Sequence, residues 1–199
     1  MRCGRRDNCW WSVLPTGGWD YPGGGKSGTA DTLLTCINLQ ALRACKHSGL
    51  DFRYLNRCVK NALTAIKDRK DAPGALAQAY QQWAQASEPA ALVACERIAR
   101  KEAFRWGNAD ADLGTLYFDT HAMFHAGGEA WPIYNSALLP ELLAAQAADG
   151  SFTRPLVGEG LDSIPAEGAS LITRETQTHF QTCVVGLTLE VYYRFFPAR

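Results

Sequence analysis

Residues 31–49, DTLLTCINLQALRACKHSG, contain the pattern that predicts the fold. Asp31 can cap the first turn of a helix, and Gly49 can end that helix in the left-handed conformation. Between them, apolar residues cover nearly every face, and a helix that is apolar all round is buried. Residues 52–68 instead carry one apolar stripe opposite a polar face, which is typical of a surface helix. This alternation predicts helical hairpins arranged in two layers.

The remainder of the chain continues the helical pattern and predicts no strand. Further helices are predicted over 75–87, 89–104, 113–126, 131–147 and 174–195. The last of them carries its apolar residues at helical spacing: Phe180, Val184, Leu187, Val191 and Phe195. Residues 1–30, rich in glycine and tryptophan, predict a loop with aromatic anchors. The predicted organisation is therefore an N-terminal loop over 1–30 and an all-α domain over 31–199.

Composition and charge limit the class of protein. Lysine plus arginine and aspartate plus glutamate are both 20, so we expect no nucleic-acid partner. Because no apolar run approaches the roughly 20 residues that span a bilayer, we predict no transmembrane segment. Seven cysteines, an odd number without a CxxC pair, lie mostly in apolar helical patterns. They predict reduced thiols packed as small apolar side chains, which slightly favours a cytoplasmic compartment.

Four ordered blocks of sequence resemble one protein family. They are GGWDYPG at 17–23 followed by Asp31-Thr32 and Gly49-Leu50, the segment 117–135, QAADGSF at 146–152, and LEVYYRF at 189–195. Together they resemble the prenyltransferase and squalene-oxidase repeat proteins. The third block is similar to the Q-xx-DGSW (QW) signature of these repeats, with Phe152 in place of tryptophan.

The resemblance implies an α/α-toroid, in which helical hairpins form two layers around a central cavity. Such toroids have twelve helices, so this chain corresponds to about half a ring, and the ring is incomplete. The first residues of the chain also resemble a start inside a longer protein. The QW resemblance implies that Gln146, Gly150 and Phe152 staple one hairpin to the next: the glutamine bonds a neighbouring helix end, and the aromatic ring stacks on the adjoining connection. If half the ring is missing, the first and last helices expose apolar faces, and we expect self-association.

The function implied by the resemblance is a non-catalytic binding scaffold with an aromatic-lined concavity. Its expected lining is Trp19, Tyr21, Asp31, Tyr117, His121 and Phe124. The expected ligand is an apolar small molecule or a protein partner, with no metal and no other cofactor. His121 and His125 have metal-ligand spacing, but the repeat family tends to have glutamine at both places, which favours polar groups facing a cavity.

A fragment of a terpenoid cyclase of the squalene–hopene type, an isomerase, is the first alternative. Such enzymes protonate an alkene with a D-x-D-D-T-A motif, and only a strong general acid can do this. Asp31-Thr32 occupies the position of the last Asp-Thr, but Ala30 stands where the acid belongs. Asp31 is thus a helix cap, a polar group lining a cavity, or a weak candidate for the catalytic acid.

A β-like subunit of a protein prenyltransferase is the second alternative. These enzymes hold zinc through aspartate, cysteine and histidine in order to activate a thiolate. Thr35-Cys36 fits the end of their motif, whereas Leu34 stands where the histidine belongs. The sequence therefore resembles this family in architecture and lacks one residue of its zinc site.

Overall fold

The computed structural model describes residues 12–14, 17–20, 30–49, 53–83, 88–108, 112–153 and 174–194. A short antiparallel pair, β1 (Ser12–Val13) and β2 (Trp19–Asp20), precedes the helices. The helices are α1 (Thr32–His47), α2 (Leu55–Ile66), α3 (Pro73–Trp83), α4 (Pro89–Ala99), α5 (Leu113–Ala126), α6 (Ala130–Ala145), α7 (Arg174–Leu189) and α8 (Val191–Arg194). This content confirms the all-α class, while β1 and β2 correct the prediction that residues 1–30 contain no regular element.

The chain divides into two compact units, Met1–Ala91 and Leu92–Arg199. In the first unit α1 packs against α2, α3 and β2, and in the second α5 packs against α6, α7 and α8. Within the described residues, no helix combines the length and the apolar character needed to cross a bilayer.

Local capping signals set the ends of α1, as predicted. The Asp31 carboxylate accepts a hydrogen bond from the backbone N–H of Leu34 at 2.6 Å, which satisfies one free donor of the first turn. At the other end Gly49 adopts a φ of 85°, the left-handed conformation that ends helices.

The burial of α1 is one-sided, which corrects the prediction of a helix buried on all faces. Its buried residues are Thr32, Leu34, Thr35, Cys36 and Leu39. Ile37 is 45% exposed, and Ala41 and Ala44 are also exposed, because α2 and α3 cover the opposite side. The predicted stripe of α2 is confirmed, since its buried residues are Leu55, Val59, Ala62 and Ile66. Phe52 lies outside the described residues.

The core of the second unit is formed by α5, α6, α7 and two connections. Its buried cluster consists of Leu113, Leu116, Leu138, Leu142, Phe152 and Val185. Phe104 and Trp106, from the connection between α4 and α5, pack against this cluster. This connection therefore contributes two aromatic side chains to the edge of the core. The preceding helix, α4, ends at Ala99 instead of the predicted residue 104.

The buried face of α7 differs from the predicted one. Phe180 and Leu187 are each 47% exposed, whereas Gln181, Val185 and Thr188 are buried. Thr188 can be buried because its hydroxyl donates to the Val184 carbonyl at 2.9 Å. Of the remaining predicted stripe, Val191 is buried, Val184 is half-buried and Phe195 lies outside the described residues. Apolar exposure on α1 and α7 agrees with the expectation for a chain that self-associates, and association itself stays a prediction.

The five described cysteines are free thiols. Cys36 and Cys95 are buried, as predicted, whereas Cys58 and Cys183 are exposed, which corrects the prediction for those two. Burial, with a smaller contribution from the Asp119 charge, raises the pKa of Cys95 to about 11. Burial also raises the pKa of Cys36, and the charges of Asp31 and Asp71 add to the effect. Neither buried thiol is a thiolate at neutral pH.

Glu141 of α6 holds the connection between α4 and α5 in place. Its Oε1 accepts from Arg105 Nη1 at 2.7 Å, and its Oε2 accepts from the backbone N–H of Trp106 at 3.0 Å. These two hydrogen bonds, that of Arg105 first, lower the pKa of Glu141 below its ordinary value of 4.5. The ionised form therefore stabilises the fold, and this contribution is complete above the ordinary pKa.

We expect Glu141→Gln to reduce the acid sensitivity of the second unit. Because the folded pKa is lowered, the wild-type contribution is lost as the pH falls from the ordinary value through the folded one. Urea midpoints at about pH 7 and about pH 3.5 measure the loss, which should be smaller in the variant than in the wild type. Glu102→Gln removes an exposed carboxylate from the same connection and is the control. If Glu141→Gln and wild type lose equal stability on acidification, this anchoring role is wrong.

Candidate functional site

The second unit contains a cavity of about 400 Å³. Its walls come from the end of α4, the connection that follows, α5 and α6. Most of the lining is apolar and includes Ile98, Phe104, Leu116, Met123, Ile133 and Leu138. A volume of this size lies within the range of about 300–1,000 Å³ that is typical of small-molecule sites.

One face of α5 forms a wall of the cavity. Asp112, Leu116, Asp119 and Met123 recur at helical spacing along this face. Asp112 caps the helix, because its carboxylate accepts from the backbone N–H groups of Gly114 at 3.1 Å and Thr115 at 3.0 Å. The cap fixes the first turn of α5 and thereby the direction in which Asp119 points.

An ion pair lies in this mostly apolar wall. Lys101 Nζ donates to Asp119 Oδ2 at 2.9 Å. The side chain of Asp119 is only 9% exposed, whereas that of Lys101 is 39% exposed. A pair at this distance is a charge-assisted hydrogen bond, and removal of one partner would leave a buried charge uncompensated. The pair thus places a charged centre in a mostly apolar lining, which also includes the charged residues Glu102, Arg105 and Asp112.

Tyr134 of α6 adds a neutral hydroxyl near this centre. Its OH lies 3.1 Å from the hydroxyl of Thr120, where either group can donate. Burial raises the pKa of Tyr134 and outweighs the lowering effect of the Thr120 hydrogen bond, and the Asp119 charge raises it further. Tyr134 therefore stays protonated at neutral pH and contributes a hydrogen-bonding group without a charge.

Three of the residues predicted to line the concavity belong to the first unit: Trp19, Tyr21 and Asp31. The two that the structure describes, Trp19 and Asp31, make structural contacts there. The Trp19 backbone N–H donates to the Thr35 hydroxyl at 3.0 Å, and its side chain is buried. Asp31 caps α1 as described above, which is the first of its three predicted roles. Tyr21 lies outside the described residues.

Tyr117, His121 and Phe124 lie together on one face of α5, as their spacing predicts, but none of them lines the cavity. The rings of Tyr117 and His121 are 4.4 Å apart, and His121 Nε2 lies 3.3 Å from the Leu187 carbonyl of α7. The Phe124 ring makes an edge contact at 5.1 Å with Trp131 of α6. His121 and Phe124 thus join α5 to its neighbouring helices.

The positions at which the sequence departs from the two enzyme families lie in the interior of the first unit. Ala30 and Leu34, which replace the cyclase acid and the zinc-binding histidine, are both buried. The ring of His125 packs against Phe124 at 5.7 Å. In the described ranges, no group of three or more histidine, cysteine, aspartate or glutamate side chains is placed to hold a metal ion.

The block around Gln146, Gly150 and Phe152 forms a tight turn after α6. Gln146 Nε2 donates to the Gly150 carbonyl at 3.2 Å, within the turn, which corrects the expectation of a bond to a neighbouring helix end. Phe152 is 4% exposed, and its ring lies 5.6 Å from that of Trp106 in the connection between α4 and α5. The ring of Phe152 thus packs in a tilted arrangement on the connection between α4 and α5, and its role as a repeat signature stays a prediction.

The cavity residues Lys101 and Asp119 were not predicted as a site. A signal was present, because Asp119 is an acidic residue on a face of α5 that is otherwise apolar between Leu116 and Met123. A buried carboxylate needs a partner, but its lysine lies 18 positions earlier in an irregular segment.

The chain matches no family model, and it shows no significant similarity to a curated protein or to a solved structure. The family resemblance of the four sequence blocks therefore stays a prediction.

Proposed function

We propose that this chain is a non-catalytic binding protein of the prenyltransferase and squalene-cyclase repeat type. Its ligand is a mostly apolar small molecule with one hydrogen-bonding group, held in the cavity of the second unit. The toroid arrangement of its hairpins belongs to the same proposal. Support for it comes from the helical content, from the single buried stripe of α2, and from the exposed apolar residues of α7.

The Lys101–Asp119 pair within an apolar cavity is the observation that carries the proposal. Apolar walls favour a ligand with an apolar body. Each Å² of apolar surface that binding removes from water contributes about 25 cal/mol of favourable free energy. The Lys101–Asp119 pair orients the ligand, because a polar group on the ligand can share its hydrogen bonds and Asp119 is held nearly buried in the wall. This pair thus favours a molecule with a polar end that reaches Asp119.

Binding is favoured over the two enzyme reactions by the hydrogen bond of Asp31. Its carboxylate caps α1 by accepting from the backbone N–H of Leu34 at 2.6 Å, which gives Asp31 a structural role. An acid that protonates an alkene must instead present its own proton to the substrate. Cyclase chemistry would therefore need an acid from outside these residues, and zinc chemistry lacks a ligand at Leu34.

The first test of this proposal asks whether an apolar fluorescent probe binds in the cavity. N-phenyl-1-naphthylamine, a neutral apolar fluorophore, should bind the protein with an increase in emission. We expect Ala137→Trp to weaken this binding by at least about tenfold, because Ala137 lines the cavity and an indole would occupy it. Ala144→Trp places the same side chain on an exposed part of α6 and should leave binding unchanged. Equal affinity of wild type and Ala137→Trp would locate the dye elsewhere and reject the proposal.

A second measurement tests the polar centre. Wild type should bind 1-naphthol several-fold more tightly than naphthalene, since the hydroxyl can bond to the Lys101–Asp119 pair. The double variant Lys101→Met, Asp119→Leu replaces both charges by apolar side chains, a change that proteins often tolerate. We expect the variant to bind both probes with similar affinity. A preference that survives the double substitution would show that the pair does not orient the ligand.

A further inference from the structure

A second concave site lies in the first unit and is independent of the cavity proposed above. It is an open groove of about 380 Å³ between the end of α1, the outer face of α2 and the end of α3. Its floor is apolar and includes Val59 and Leu63.

Positive charge dominates the rim of this groove. Lys46 comes from α1, Lys60 comes from α2 and Lys67 follows directly after α2, while Glu88 is the acidic residue of the lining. These four side chains give a formal net charge of +2. Among the described residues neither Lys60 nor Lys67 forms an ion pair. A groove with apolar walls and an excess of positive charge concentrates anions from solution.

Two aromatic side chains form the wall at the end of α3. Trp83 Nε1 donates to the Leu39 carbonyl at 2.9 Å, and Tyr80 OH donates to the Leu63 carbonyl at 2.8 Å. These bonds fix the orientation of both rings. Lys46 Nζ lies 5.5 Å from the centre of the Trp83 ring, which places a positive charge directly beside the aromatic surface.

The Tyr80 hydroxyl adds no negative charge to the groove. Burial, followed by the charges of Glu88 and Asp68, raises the pKa of Tyr80 to about 12. The phenol therefore stays neutral throughout the physiological range, and the positive balance of the rim is kept.

We propose that this groove binds a small phosphate ester that carries a flat apolar group. The phosphate lies among the ammonium groups of Lys46, Lys60 and Lys67, and the flat group lies against Trp83 and Leu63. Lys60 and Lys67 are two helical turns apart, about 10 Å along the axis. Their flexible four-carbon stems allow the two ammonium groups to converge on one phosphate. The size of the groove favours a small molecule over an extended acidic peptide.

Titration calorimetry on the full chain at low ionic strength tests this proposal, with phenyl phosphate as the probe. We expect phenyl phosphate to bind at least about tenfold more tightly than inorganic phosphate, because only the ester has a ring for the Trp83 wall. The double variant Lys60→Gln, Lys67→Gln should lose at least about tenfold in affinity for phenyl phosphate. A matched control, Arg53→Gln with Lys70→Gln, removes the same charge from exposed positions outside the groove and should change the affinity little.

Three results would overturn the proposal. Equal losses in the groove variant and in the control variant would mean that phenyl phosphate responds only to overall charge. Equal affinities of phenyl phosphate and inorganic phosphate would remove the role of the aromatic wall. Binding of a polyglutamate peptide without binding of phenyl phosphate would identify the groove as a contact for an acidic protein. Circular dichroism of each variant establishes that the helices are intact, so a loss of affinity reports on the groove.

Discussion

Phe152→Ala should lower the free energy of unfolding of the second unit by about 3–5 kcal/mol. Phe152 is 4% exposed and belongs to the cluster of Leu113, Leu142 and Val185, with its ring 5.6 Å from that of Trp106. Its truncation removes apolar contacts from α5, α6 and α7 together, and it leaves a cavity that these helices cannot fully close. Urea unfolding followed by circular dichroism and by tryptophan fluorescence measures the change.

Phe180→Ala is the matched control, since it is the same substitution at a phenylalanine that is 47% exposed on α7. We expect it to cost less than about 1 kcal/mol. The pair of variants also distinguishes the observed packing of α7 from the one predicted by apolar spacing, which places Phe180 on the buried face. Equal losses of stability in the two variants would support the predicted buried face and contradict the described packing.

The starts of α1 and α5 could be predicted because capping is local, whereas the end of α4 could not. The side chain of Asp112 bonds the backbone two and three positions ahead, and Asp31 bonds that of Leu34 in the same way. Such bonds depend on a few neighbouring residues and not on the tertiary fold. The sequence pattern of a helix cap can therefore be recognised without knowing which elements pack around the helix.

The buried face of α7 could not be predicted from its apolar residues. Spacing favours Phe180 and Leu187, yet Gln181 and Thr188 are the buried side chains at equivalent steps. A polar residue can be buried when its hydrogen bonds are satisfied, and the partner often lies in another element. On α7 itself, the half-buried Thr182 has such a partner, because its hydroxyl accepts from the backbone N–H of Phe152 in the turn after α6 at 3.0 Å.

The residues that line the candidate cavity could not be predicted either, because the lining depends on which elements pack together. Tyr117, His121 and Phe124 were predicted as lining from the family resemblance, and the structure places them on one face of α5. Sequence does not show which neighbouring element covers that face, and here α6 and α7 contact it. The cavity lies instead beside Asp119, whose ion-pair partner Lys101 comes from an irregular segment without a periodic signal.

Gly18, in the first sequence block, lies so close to the start of α1 that a larger residue would overlap with it. Gly18 has a φ of 79°, and a Cβ built on it would lie 2.6 Å from the Ala30 Cβ and 3.0 Å from the Thr35 hydroxyl. The backbone of Trp19 accepts from the Asp31 N–H at 2.9 Å, so this segment is held closely against the start of α1. We expect Gly18→Ala to cost about 2–4 kcal/mol, from the left-handed conformation and from the overlap.

Gly49→Ala separates the two contributions to that cost. Gly49 has a φ of 85°, and a Cβ added to it would meet no atom within 4 Å, so only the backbone conformation contributes, about 1 kcal/mol. The double variant Gly18→Ala, Ala30→Gly removes the closest overlap and should recover part of the loss relative to the two single changes. Urea unfolding of the four variants measures each contribution. If Gly18→Ala costs no more than Gly49→Ala, the close approach of this segment to α1 does not contribute to stability, and the glycine is required for its backbone conformation alone.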